Sequence, residues 1–90
     1  MIEQGADGTF VHVNRGTCSR AVSFRLDEDR RVHDVRFEGG CDGNLKGIGR
    51  LVEGMPAAEV AERLSGNECG VKKTSCPDQL AQALSEALEA

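Results

Sequence analysis

Tryptophan and tyrosine are absent from this chain, and phenylalanine occurs only three times, at Phe10, Phe24 and Phe37. Proteins that bind single-stranded nucleic acid need aromatic platforms on which bases stack. All three rings fall in alternating, strand-like patterns where burial accounts for them. A basic stretch is also missing: eleven Lys and Arg are spread along the chain against fifteen Asp and Glu, for a net charge of −4. Both absences argue against nucleic acid as a partner. No apolar run approaches the roughly 20 residues that a membrane helix requires, so a membrane-spanning helix is excluded. Residues 1–8 carry neither a basic leader nor an apolar segment, which makes a cytoplasmic location the expectation and residues 1–8 a flexible lead-in. Residues 9–90 are then one domain, whose core is thin because a chain this short buries only roughly 60–65% of its unfolded surface.

What the chain has in quantity is cysteine, four in 90 residues. In a reducing compartment such a number points to metal binding or redox chemistry before structural disulfides.

Hydrophobic periodicity predicts α+β architecture. Residues 9–15 form a first strand closed by Gly16. Residues 19–26 form a second, with Val22, Phe24 and Leu26 on one face, and residues 31–38 a third, with His33, Val35 and Phe37 together. The charged run Asp27-Glu28-Asp29-Arg30-Arg31 is the solvated turn of their antiparallel hairpin. The period then becomes helical: Leu45, Ile48, Leu51 and Val52 belong to a first helix, capped by Asp42 or Asn44 and ended by Gly54. Pro56 starts a second helix with a Val60, Ala61 and Leu64 stripe, stopped at Gly66. Pro77 opens a third, with Leu80, Ala83, Leu84, Ala87 and Leu88 buried. The expected fold is a three-stranded antiparallel sheet followed by three helices packed on one of its faces. Gly47 and Gly49 each weaken the first helix by roughly 1 kcal/mol relative to alanine, so its first turns are expected to pack closely on a neighbour.

Cys18, Cys41, Cys69 and Cys76 all lie at element boundaries, whereas cysteines serving as small hydrophobes favour the apolar stripes. Cys41 and Cys76 fall near helix N-termini, where free backbone N–H groups favour the thiolate, the metal-binding form. No Cys-x-x-Cys pair occurs; Cys69 and Cys76 are the nearest in sequence, seven positions apart. Spacing therefore leaves three possibilities open: a shared metal site, incidental buried thiols, or a redox pair. His12 and His33 are further conceivable ligands, although each is more simply a hydrogen-bonded core or edge residue. The glycines of Gly39-Gly40-Cys41-Asp42-Gly43-Asn44 lack the ending of a phosphate-binding P-loop and serve equally to bring backbone close to a metal-bound cysteine.

The string Thr74-Ser75-Cys76-Pro77-Asp78, with Gly39-Gly40-Cys41-Asp42-Gly43-Asn44 and Gly47-Ile48 upstream, resembles the TSCPD domain family over roughly residues 10–90, in its small four-cysteine, stand-alone form. Larger relatives carry this domain at the C-terminus of cobalamin-dependent ribonucleotide reductases, so the resemblance implies a link to ribonucleotide reduction and DNA precursor synthesis, with a reductase or another protein as partner. The catalytic label ribonucleoside-diphosphate reductase belongs to those relatives, because 90 residues cannot enclose a radical-shielding barrel and a cobalamin site. The order of Cys18, Cys41 and Cys76 is also similar, more distantly, to the layout of U-type iron–sulfur scaffold proteins. Here Arg20 and Ser75 replace that family's aspartate and histidine, and Cys69 is an added thiol. The resemblance thus implies a closed, all-thiolate site of Cys18, Cys41, Cys69 and Cys76, with zinc as the expected ion and an iron–sulfur cluster as the alternative. A third possibility is a thiol–disulfide relay serving a reductase through Cys69 and Cys76.

Overall fold

The computed structural model describes residues 2–5, 8–40, 42–68, 70 and 74–89. Cys41 and Cys69 lie outside them. Among the described residues four strands, β1 (Ile2–Gln4), β2 (Thr9–Val13), β3 (Ser19–Leu26) and β4 (Val32–Gly39), precede three helices, α1 (Asp42–Val52), α2 (Ala57–Leu64) and α3 (Cys76–Glu89). The strands form one antiparallel sheet in chain order, β1-β2-β3-β4. The α+β class agrees with expectation, but the sheet has four strands instead of three. Ile2-Glu3-Gln4 carries a single apolar side chain and so lacks the alternation that marks a strand; pairing with Phe10, Val11 and His12 makes it one.

The β3–β4 hairpin turns where the charge run predicts. Asp27 Oδ1 accepts the N–H groups of Asp29 and Arg31 at 2.9 and 3.0 Å, an Asx-type turn. A bulge at Asp34, whose φ is +58°, then inserts an extra residue into β4. Phe37 consequently opposes Val22 and Val32 opposes Leu26, on the buried face, while His33 opposes Arg25. The simple alternation of His33, Val35 and Phe37 is broken by that insertion. The start of β4 is covered by residues 54–57, which exchange backbone hydrogen bonds with Arg30 and Val32, so this part of the edge is not left as a pairing template.

Phe10, Val22, Phe24 and Val32 of the sheet pack with Ala57, Val60, Ala61, Leu80, Ala83, Leu84 and Ala87 of α2 and α3 in one core. Phe10 and Phe24 are cross-strand partners whose rings stack with centroids 5.6 Å apart. In α1, Leu45 and Val52 are buried and Ile48 packs on the core, but Leu51 is 76% exposed. Six residues at about 100° each place Leu51 well off the Leu45 stripe.

The two helix glycines differ. A Cβ at Gly49 would stand 3.0 Å from the Val35 carbonyl oxygen, so α1 approaches β4 there as closely as backbone allows, whereas a Cβ at Gly47 would meet nothing within 4 Å. Gly47→Ala is therefore expected to stabilise the protein by about 0.5–1 kcal/mol through helix propensity alone. Gly49→Ala should destabilise it in the same denaturant titration.

His33 ties the hairpin to the end of α1. Its Nε2 lies 2.7 Å from Asp27 Oδ2, and its Nδ1 meets Glu53 Oε2. The hydrogen bond to Asp27 first, then that to Glu53, raises the imidazole above its ordinary value. Asp27 is lowered by the Arg31 N–H and then His33, and Glu53 by the Asp34 N–H and then His33. A raised histidine stabilises the fold below its unfolded value near 6.5 and ceases to as pH climbs through its folded value. Lowered carboxylates stabilise above their unfolded values of 3.8 and 4.5 and cease to as pH falls through their folded values. The contribution of this bridge is thus fullest between roughly pH 4.5 and 6.5. Melting temperatures of the wild type should fall from pH 6 toward pH 8 more steeply than those of His33→Gln; parallel curves would show that the bridge contributes nothing.

Candidate metal centre

The β2–β3 turn, the end of β4 and the start of α3 converge at one end of the sheet. The turn reverses at Gly16, whose φ is +72° and where a Cβ would lie 3.2 Å from Thr74 Cγ2. Its Arg15 N–H donates to Gln79 Oε1 at 3.1 Å, and the Gln79 amide donates on to Thr74 Oγ1 at 3.0 Å. These bonds hold Cys18, at the end of the turn, against Cys76, the first residue of α3.

The Cys18 and Cys76 sulfurs stand 3.7 Å apart. A disulfide requires about 2.05 Å, and both thiols are free, Cys18 exposed and Cys76 buried. Two thiolates on one tetrahedral zinc, each about 2.3 Å from the metal, are separated by about 3.8 Å. The pair therefore fits joint ligation of a single ion. Burial pushes the Cys76 thiol up, but hydrogen bonds from the Ser19 hydroxyl and N–H, then from Cys18 and Thr17, outweigh it and leave the thiol below its ordinary value.

Each member of the Thr74–Asp78 string has a structural task. Ser75 is the N-cap of α3: its Oγ accepts the Asp78 N–H at 3.1 Å, and its hydroxyl donates to the Asn67 carbonyl. Pro77 lies in the first turn, where no N–H is needed. The buried Asp78 carboxylate accepts from the Gly66 N–H at 2.7 Å, from Gln82 at 3.0 Å and from the Thr74 hydroxyl. Burial raises its pKa, and the hydrogen bonds from Thr74, Gly66 and Gln82 more than reverse that. Gly66, Asn67 and Thr74 are thereby drawn onto the helix end that presents Cys76.

Of the four cysteines expected as ligands, the described residues bring Cys18 and Cys76 together. Cys41 and Cys69 fall outside them, but their sequence neighbours do not. Gly39 and Gly40, with φ near +80°, carry the chain off β4 past Cys18; a Cβ at Gly40 would sit 2.8 Å from Leu45 Cδ1 and 3.2 Å from Cys18 Sγ. Asn67 donates to Ser75 Oγ at 3.3 Å. Gly40, the residue before Cys41, is thus held beside Cys18, and Asn67, two positions before Cys69, beside Ser75, the residue before Cys76. Among the described residues, no three His, Cys, Asp or Glu side chains gather as a ligand set. His33 is committed to its carboxylates. His12 reaches the thiols only through Asn14 and Ser19, which the sequence did not single out. Their signal was present: Phe10, His12 and Asn14 share one parity of a strand, and polar groups on a buried parity need a reason. A groove of about 530 Å³ between β4 and α1, lined by Arg36, Lys46, Gly49 and Arg50 among others, includes neither thiol.

The architecture defines a small α+β domain with a thiol pair held between a strand turn and a helix N-terminus. The family model of the TSCPD domain matches residues 3–88, nearly the whole chain, and the chain belongs to that family. Comparison with curated proteins and with solved structures gives no match. Among the described residues, no helix is long and apolar enough to cross a membrane.

Proposed function

We propose that this TSCPD domain is a four-cysteine zinc module, with Cys18, Cys41, Cys69 and Cys76 as ligands, that acts in the cytoplasm as an accessory or interaction domain linked to ribonucleotide reduction. The observation that carries the reading is the 3.7 Å separation of the Cys18 and Cys76 sulfurs, the spacing of two thiolates on one tetrahedral ion. The positions of Gly40 beside Cys18 and of Asn67 beside Ser75 support Cys41 and Cys69 as the other two. Zinc supplies no redox chemistry; it cross-links the elements that carry its ligands. The chain's own residues do the rest: Ser75 and Asp78 fix the start of α3, Gly40 leaves room for the Cys18 sulfur, and Ser19 Oγ lies 2.9 Å from the Cys76 sulfur.

Purification under anaerobic conditions, followed by elemental analysis and an absorption spectrum, tests this. Close to one equivalent of zinc and a featureless visible spectrum are expected. A brown protein with iron and sulfide would replace zinc by a cluster, and metal-free protein that melts no lower than a zinc-reconstituted sample would refute the reading. The link to ribonucleotide reduction rests on the family resemblance, and co-purification with a reductase from cell extract checks it.

A further inference from the structure

Behind Cys76 runs a line of buried polar groups that sheet packing does not require. His12, Asn14, Ser19 and Cys76 are 4%, 9%, 2% and 6% exposed, on the face where Phe10, Val22 and Phe24 are otherwise apolar. His12 Nδ1 lies 3.1 Å from Asn14 Oδ1, Asn14 Nδ2 donates to Ser19 Oγ at 2.8 Å, and Ser19 Oγ lies 2.9 Å from Cys76 Sγ. On the far side, His12 Nε2 is 3.5 Å from Glu86 Oε2 of α3. Leaving one such group without a partner costs about 1–3 kcal/mol, so a thin core gains nothing from a line of them unless every link is made.

The orientation of the Asn14 amide sets the direction of the links. The Asn14 nitrogen faces Ser19, so its carbonyl oxygen faces His12; a carbonyl can only accept, and His12 Nδ1 must carry a proton. Ser19 receives a hydrogen bond from Asn14 and retains a single proton to give. Thr17 Oγ1, 3.5 Å from Ser19 Oγ, is too distant to be its main acceptor. The remaining acceptor is the Cys76 sulfur.

We infer that His12, Asn14 and Ser19 form a one-way hydrogen-bond relay that holds the Ser19 hydroxyl as a donor to the Cys76 sulfur, which makes them positioning residues of the thiolate site. A donor aimed at a ligating sulfur orients it and lessens its tendency to leave the metal, as outer-shell partners of metal ligands do. The direction of the relay rests on geometry alone; its effect on metal retention rests on the zinc reading.

Two measurements test it. Long-range nitrogen–proton NMR of the wild type should find His12 protonated at Nδ1, and an unprotonated Nδ1 overturns the relay whatever metal the protein holds. Zinc transfer to a chromophoric chelator should be about 10- to 100-fold faster from Ser19→Ala and from Asn14→Asp than from the wild type. Asn14→Asp is the sharper probe, because its carboxylate is nearly the same size but accepts the Ser19 proton and turns the hydroxyl away from sulfur. Circular dichroism and cobalt–thiolate absorption of each zinc-competent variant show whether the fold and the ligand set persist. Unchanged transfer rates in both folded variants overturn the inference. A wild type that binds no zinc refutes the metal reading instead, and the His12 protonation result then decides the relay.

Discussion

Cys76→Ser is expected to leave the protein with far less than one equivalent of zinc and to lower its melting temperature by more than any other single change at this end of the sheet. Structural zinc contributes on the order of 10–16 kcal/mol of apparent folding free energy in small modules, comparable with the roughly 5–15 kcal/mol that holds an ordinary domain together. Losing even about 3 kcal/mol of it should lower the melting temperature by roughly 12–24 °C for a domain of this size. The core offers little reserve: its fully buried larger side chains are Phe24, Leu80, Leu84, Val22, Val32 and Val60. Cys76 also lies 2.9 Å from Ser19 Oγ and 3.7 Å from Cys18 Sγ, so its replacement disturbs both contacts. Metal analysis and thermal melting of wild type and variant, with and without chelator, give the answer. A chelator should reduce the wild-type melting temperature toward that of the variant and leave the variant unmoved. Full zinc occupancy with an unchanged melting temperature in Cys76→Ser would sink the four-thiolate proposal.

Asp78→Ala is the second large expectation, and it does not depend on metal. Asp78 is 5% exposed, and its carboxylate is the acceptor for the Gly66 N–H, the Thr74 hydroxyl and the Gln82 amide. Removing it leaves the Gly66, Thr74 and Gln82 donors without their acceptor in a part-buried setting and takes a negative charge from the first turn of α3, where the helix dipole favours one. The expected loss is about 2–4 kcal/mol in denaturant unfolding of the metal-free protein. Asp78→Asn keeps the size and one acceptor and should lie between. The carboxyl's pKa is lowered in the folded state, so its contribution is present above its unfolded value of 3.8 and fades as pH falls through the folded one. Asp78→Asn should accordingly lose less stability on acidification than the wild type. An Asp78→Ala protein as stable as wild type, or acid profiles of equal slope, would show that the carboxylate is not the tie between residue 66 and the start of α3.

Local periodicity was enough to read most elements. The alternation of Val22, Phe24 and Leu26 marked β3, and the Leu80, Ala83, Leu84 and Ala87 spacing marked α3, because these patterns follow from strand and helix repeats that neighbours in sequence share. The boundary positions of Cys18 and Cys76 were legible too: one ends the β2–β3 turn and the other is the first residue of α3. Leu51 and β1 depart from local pattern for a related reason: one is an apolar residue off the buried stripe of its helix, and the other a strand with a single apolar side chain.

Local pattern alone carries the α+β class, the hairpin at Asp27–Arg31, the apolar stripes of α2 and α3, and the boundary positions of the thiols. Only the tertiary structure decided which parity of β2 turns inward. Val11 and Val13, apolar, are 41% and 63% exposed, while His12 and Asn14, polar, are buried. Strand register is set by partners across the sheet, here Phe10 against Phe24 and His12 against Val22, and a shift by one residue would exchange the two faces. The same holds for the thiol pair. Cys18 and Cys76 are 58 residues apart in the chain, and their meeting depends on a turn docked on a helix N-terminus by Arg15, Gln79 and Thr74, a long-range arrangement that no local pattern encodes.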